Sequence, residues 1–104
     1  MISGLRSRKI DIGAVGGATH SLVGEEAGRV IRVYKLFMTF DAAETIRFQD
    51  GTADLTPAHN YAQNEKLIFE FDGVPWFETT AGNALRITRN GTVELGGIVW
   101  YTIS

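Results

Sequence analysis

Several stretches of this chain are rich in branched and aromatic side chains, and their spacing predicts strands rather than helices. The longest of them runs from Arg29 to Phe40 and carries apolar residues at both odd and even positions. Because successive side chains of a strand point to opposite faces of the sheet, this stretch predicts a strand that is covered on parts of both faces. Such a strand is typical of the centre of a sandwich or of an interface between subunits.

Shorter stretches predict further strands. Glu44 to Gln49 alternates cleanly between polar and apolar residues, Lys66 to Phe71 carries apolar residues on one face, and Gly97 to Ile103 closes the chain. Pro75 cannot donate to a β-ladder, so Val74 to Glu78 is expected to be a short extended piece at a sheet edge or in a crossing loop. No stretch requires a helix. Roughly six to eight short strands predict an all-β fold, an antiparallel β-sandwich that is jelly-roll-like and has an extended N-terminal arm.

One turn can be typed from the sequence. Asn90 and Gly91 stand between the strand-like stretches Ala84 to Arg89 and Thr92 to Leu95. A two-residue hairpin turn needs positive φ at both central positions, which asparagine and glycine tolerate best. The sequence therefore predicts a β-hairpin at this point.

The first 28 residues differ from the rest, because they are rich in glycine and contain only short apolar pieces. We interpret residues 1–28 as a glycine-rich arm with short strands and residues 29–104 as the β-sandwich domain. The arm could be a flexible terminus, could order on a neighbouring subunit, or could pair as a first strand within the domain. As a docking arm it would contact a partner through its basic and apolar residues Arg6, Arg8, Lys9, Ile10 and Ile12.

Composition narrows the class of protein. The chain has 104 residues, of which 44% are hydrophobic and 21% charged, as expected of one small globular domain. Its net charge of −2 gives no electrostatic case for a nucleic-acid partner. Cysteine is absent, so subunit association is the usual remaining source of extra stability for so small a β domain. With neither a signal peptide nor a membrane-spanning apolar run, we expect synthesis in a cytoplasm and no membrane partner.

The side chains that carry chemistry form no recognisable catalytic set. His20 and His59 are the only histidines and stand in unrelated segments, whereas a metal site needs several convergent ligands. No serine or threonine stands beside a positioned base in a known pattern. We therefore expect no metal, no cofactor and no enzymatic activity. The aromatic residues Tyr34, Phe37, Trp76, Phe77 and Trp100 are interpreted as core or subunit-interface residues, although the last three could instead form a platform that stacks on sugars.

One segment carries a resemblance. Pro75 to Leu85 reads Pro-Trp-Phe-Glu-Thr-Thr-Ala-Gly-Asn-Ala-Leu, and this pattern resembles small β-rich proteins encoded among the structural genes of tailed bacteriophages. The blocks Val33 to Met38, Thr45 to Leu55, Leu67 to Phe71 and Val93 to Tyr101 follow in the same order. The resemblance covers residues 29–104 and leaves the arm outside.

The resemblance implies a virion structural protein, most closely a capsid decoration (cement) protein that binds the major capsid protein and stabilises the shell. It implies a location on the capsid surface of the virion, after synthesis in the host cytoplasm. It also implies a homo-oligomer, with a trimer favoured. The alternatives are a carbohydrate-binding adhesion module of the virion and a small head-fibre or tail component.

Overall fold

The computed structural model describes residues 4–13, 19–91 and 93–104, and throughout these the chain is all-β, with two antiparallel sheets and no helix. The predicted fold class is therefore confirmed at this level. The strands are β1 (Arg6–Ile12), β2 (Thr19–Val23), β3 (Ile31–Phe40), β4 (Glu44–Asp50), β5 (Ala53–Asp54), β6 (His59–Tyr61), β7 (Lys66–Phe69), β8 (Phe77–Glu78), β9 (Leu85–Arg89) and β10 (Leu95–Ile103).

Each sheet contains four strand positions, the last of which is shared by two short strands. Sheet 1 has the order β1-β10-β3-β7, and β8 also pairs with β3, beyond the stretch that pairs with β7. Sheet 2 has the order β2-β9-β4-β5, and β6 also pairs with β4. The chain therefore places its first strand beside its last, and its second strand beside its last but one.

One hydrophobic core joins the two sheets. Val33, Leu36, Leu85 and Val99 have no exposed surface at all. Sheet 1 contributes the buried side chains of β1, β3 and β10, and sheet 2 contributes those of β2, β4 and β9. Removal of these side chains from water is the main favourable term in the stability of the fold.

A β-bulge in β3 explains why its apolar residues do not alternate. Tyr101 pairs with Val33 and Trp100 pairs with Lys35, so Tyr34 is an extra residue in β3. The extra residue shifts the alternation by one position, and apolar side chains of both parities then enter the same core. These side chains, none more than 1% exposed, are Ile31, Val33, Leu36, Met38 and Phe40. β3 was expected to be covered on parts of both faces. The structure instead shows that these apolar residues share one inner face, because the bulge shifts the alternation.

The described part of the N-terminal segment pairs within the β domain. β1 pairs with β10 along its whole length and β2 pairs with β9, and Ile10, Ile12, Leu22 and Val23 are buried. The described residues thus follow the alternative of short strands paired within the domain. Ile10 and Ile12 alternate in β1, whereas Leu22 and Val23 of β2 are consecutive residues at a register shift against β9. Residues 1–3 and 14–18 of that segment lie outside the described residues.

The hairpin predicted at Asn90 and Gly91 is wrong, because β9 and β10 belong to different sheets and neither residue has positive φ. The chain crosses between the sheets here instead. The buried carboxylate of Glu44 accepts the backbone N–H groups of Asn90 and Gly91, at 3.2 and 2.8 Å. The guanidinium of Arg89 donates to the carbonyl oxygens of Gly13 and Val93, at 2.8 and 2.6 Å. In place of a hairpin partner, β4 thus satisfies the N–H groups of Asn90 and Gly91, through the Glu44 carboxylate and, for Asn90, also through the Thr45 carbonyl oxygen at 3.0 Å.

Candidate binding surfaces

Three apolar side chains lie in register across the outer face of sheet 1. Ile98 of β10 pairs with Phe37 of β3, and Phe37 pairs with Ile68 of β7. The side chains next to them along each strand pack in or against the core, so these three point away from it. The side chains that pack there are those of Leu36, Met38, Leu67, Phe69 and Val99. Ile98 is 39% exposed and Ile68 is 47% exposed, while Phe37 between them is partly exposed. We call this set the apolar row.

Cationic side chains surround the apolar row. Lys9 pairs with Ile98 on the neighbouring strand. Lys66 pairs with Thr39, which lies two positions along β3 from Phe37 and therefore on the same face. The Lys35 ammonium lies 4.8 Å from the centroid of the Trp100 ring, on the same outer face. Lys9 also lies 3.4 Å from Asp11, in a well-exposed ion pair. On a chain of net charge −2, this face is therefore locally basic.

A second surface is the groove between the outermost strands of the two sheets. It has a volume of about 410 Å³, within the size range of small-molecule sites. We call it the edge groove, and its principal lining residues are Phe48, Pro57, His59, Phe69, Trp76 and Phe77. The ring of Phe77 packs against those of Phe48 and Phe69, with centroids 5.2 and 5.8 Å apart, so the floor of the groove is continuous with the core.

Trp76 is the most prominent side chain of the edge groove. Half of its surface is exposed. Its indole Nε1 donates to the backbone carbonyl oxygen of Glu70 at 2.7 Å, and its ring stacks on Phe69 with centroids 4.9 Å apart. One face of the ring is therefore covered by protein and the indole N–H is already used.

Tyr61 lies at the sheet-2 side of the groove, where its ring stacks on Phe40 with centroids 4.5 Å apart. Burial raises the pKa of the Tyr61 phenol, and the nearby Glu65 carboxylate raises that pKa further. The hydroxyl is therefore neutral at physiological pH and can both donate and accept a hydrogen bond.

The aromatic residues predicted as core or interface are divided among three places. Tyr34 is buried, with its ring 6.2 Å from that of Phe71. Phe37 and Trp100 lie on the outer face of sheet 1, and Trp76 and Phe77 lie in the edge groove. Trp76 is thus no core residue.

Strand parity in the sequence places Ile98 with Trp100 on the face opposite Val99, but it did not single out Ile68. The same parity could have marked Ile68 as an outward apolar residue, since it stands between Leu67 and Phe69, which pack against the core. The alignment of Ile68 and Ile98 with Phe37 depends on which strands pair, and that information is not local.

The residues expected to form a capsid-contacting arm also differ from one another in exposure. Arg6, Arg8 and Lys9 are exposed along β1, whereas Ile10 and Ile12 are buried at 3% and 6% exposure. The two isoleucines therefore cannot contact a partner while β1 remains paired.

Within residues 4–13, 19–91 and 93–104, the structure gives little support for a metal site or a membrane-spanning helix. No cluster of three or more histidine, cysteine or carboxylate side chains there could bind a metal ion. The histidines are far apart in the sequence of elements, His20 in β2 and His59 in β6. No helix in this part of the chain is long and apolar enough to span a membrane.

Comparison with known proteins gives no guide to the function of the chain, so the inference of function rests on its surfaces and on its sequence. No protein-family model matches the chain, and neither the curated proteins nor the solved structures contain a significant match.

Proposed function

We propose that this protein is a bacteriophage virion structural protein, most closely a capsid decoration protein that binds the major capsid protein and stabilises the assembled shell. The apolar row on the outer face of sheet 1 is the observation that carries the proposal. The ordered sequence blocks of residues 29–104, which resemble phage virion proteins, supply the biological setting.

The order of the strands supports a jelly roll as the finer description of the fold. β1 lies beside β10, β2 lies beside β9, and β3 lies between β10 and the short strands β7 and β8. Two four-position antiparallel sheets nested in this way correspond to the eight strands and two Greek keys of a jelly roll. A jelly roll leaves the outer face of each sheet accessible, and such a face can dock on the surface of a shell. The architecture alone does not specify the activity.

Docking would use the apolar row as its centre. Ile68 and Ile98 leave aliphatic surface in water, and covering it stabilises a complex by about 25 cal/mol per Å². Lys9, Lys35 and Lys66 would form a polar rim that fits an acidic surface on the capsid. The protein would then act by the area it buries across neighbouring capsid subunits, with no chemical step.

The proposal is tested by mixing the purified chain with capsids assembled without it and measuring the bound copies by co-sedimentation. We expect saturable binding and an increase in the temperature at which the capsids release their genome. Ile68→Asp and Ile98→Asp should each weaken binding by about tenfold or more, because each removes apolar contact and places a carboxylate against an acidic surface.

Val74→Asp is the matched control, since Val74 is 61% exposed but lies outside the apolar row, between β7 and β8. It should bind as the unmodified protein does. Raising the salt concentration should weaken binding through loss of the lysine contacts. Absence of binding by the unmodified protein, or equal losses in all three variants, would contradict the proposal.

A further inference from the structure

Trp76 is held in one orientation even though half of it is exposed. Its indole N–H bonds to the Glu70 carbonyl oxygen at 2.7 Å, and its ring stacks on Phe69 at an interplanar angle of 21°. Its backbone N–H donates to the carbonyl oxygen of Val33 at 2.8 Å, so the main chain is fixed on β3 as well. A ring restrained in this way loses little conformational entropy when a ligand stacks on it.

These restraints also limit what the ring can recognise. The N–H is the only hydrogen-bond donor of a tryptophan side chain, and here it is occupied by Glu70. Trp76 therefore offers a ligand a flat apolar ring face and no available hydrogen-bond donor.

The rest of the edge groove is amphipathic. Its floor is formed by the rings of Phe48, Phe69 and Phe77. His59 and Tyr61 line the opposite side and carry groups that can donate and accept hydrogen bonds. A ligand that fits has an apolar face for the rings and polar groups that can bond His59 and Tyr61, and a pyranose ring has both.

Charge narrows the class of ligand further. Glu70 and Asp72 are exposed on the segment that leads from β7 to Trp76, and Glu65 lies beside Tyr61. Carboxylates at this end of the molecule would repel an anionic sugar. The groove therefore suits a saccharide without anionic groups.

We propose that the edge groove is a binding site for a neutral saccharide, in which a pyranose ring stacks on the free face of Trp76 and its hydroxyl groups reach His59 and Tyr61. This site is separate from the apolar row, so a virion protein docked through the row could still present the groove to glycans. The proposal goes beyond the decoration function and does not depend on it.

The chain provides its own probe, because Trp76 and Trp100 are its only tryptophans. In Trp100→Phe, the fluorescence of Trp76 alone reports on the groove. The full-length chain is first screened on an array of neutral glucose-, galactose- and N-acetylhexosamine-containing oligosaccharides. The best-binding oligosaccharide is then titrated into Trp100→Phe. We expect saturable binding on the array and a saturable change in the Trp76 emission.

Trp76→Ala should weaken the binding of that oligosaccharide by about tenfold or more, Trp76→Phe should recover part of it, and Trp100→Phe should leave it unchanged. Because Trp76 is half exposed, Trp76→Ala is expected to keep the native circular dichroism spectrum. Three results would each overturn the proposal: no neutral oligosaccharide binds, Trp76→Ala binds as well as the unmodified protein, or Trp76 emission responds to capsids and not to any sugar.

Discussion

Gly97 marks the closest approach between β10 and β3. A Cβ atom at this position would lie 1.8 Å from the carbonyl oxygen of Phe37 and 2.9 Å from the Cα of Met38. Both are backbone atoms of the neighbouring strand, so no side-chain movement could relieve the contact. Glycine is therefore required where the backbones approach so closely.

We expect Gly97→Ala to destabilise the protein by about 3 kcal/mol, at the upper end for overpacking, because the two central strands of sheet 1 would have to separate. Gly96→Ala is the matched control on the adjacent residue, where the added Cβ would lie 3.8 Å from the Ile10 carbonyl oxygen. Urea unfolding of both variants gives the comparison. Equal stability of the two variants would show that the strands do not approach as described.

The sequence alone was least reliable at single residues whose role depends on distant partners. Asn90 and Gly91 are a common signal for a hairpin, but that signal assumes that the flanking strands pair with each other. Here Glu44, from another strand, accepts their backbone N–H groups, and Leu95 begins a strand of the opposite sheet. A local motif could not predict this.

At the scale of elements, the strands were predicted more accurately than their faces. Arg29 to Phe40 and Glu44 to Gln49 were expected to be strands, and the structure contains Ile31–Phe40 and Glu44–Asp50. The bulge at Tyr34 could not be predicted, because it is defined by the register against β10. A strand without a bulge would place its odd and even apolar residues on opposite faces, and for this reason the sequence predicted that both faces of β3 are covered.

Deleting the first strand tests whether β1 is an integral part of the domain. β1 fills the edge of sheet 1 and buries Ile10 and Ile12. Burial of two isoleucines contributes about 3–6 kcal/mol, a large part of the stability of a domain this small. We therefore expect deletion of residues 1–12 to abolish cooperative thermal unfolding or to lower the melting temperature steeply, as followed by circular dichroism.

Arg8→Ala is the control for that deletion, since it removes an exposed basic side chain of β1 and should leave the melting temperature nearly unchanged. An unchanged melting temperature after the deletion, together with loss of capsid binding, would instead support an arm that docks on the shell.

At the scale of the whole molecule, the sequence predicted the architecture but not the pairing that creates the surfaces. The two sheets, and the lack of any helix in the part of the chain that the structure describes, followed from strand-length apolar stretches and turn residues. The apolar row requires β10, β3 and β7 to be neighbours, although they are far apart in the chain. The edge groove likewise requires β6 of one sheet and β8 of the other to flank a common space. A single sequence does not encode such neighbours in any local pattern.

The whole-molecule prediction concerns assembly. The bulge in β3 weakens one argument for association, because both sets of its apolar residues share the core of one subunit. Phe71 remains, 47% exposed and outside the apolar row, and no disulfide is present to stabilise the small domain. As part of the proposed decoration function, we expect a homotrimer on the capsid.

Cryo-electron microscopy of decorated capsids should then reveal clusters of three copies around each three-fold position. Light scattering of the free protein measures whether the trimer forms before docking or only on the shell. If the free protein is trimeric, Ile68→Asp should leave the trimer intact, because the apolar row is the surface proposed to dock on the capsid. A stable monomer in solution, combined with isolated single copies on the capsid, would contradict the trimer and leave docking by one subunit as the mode of binding.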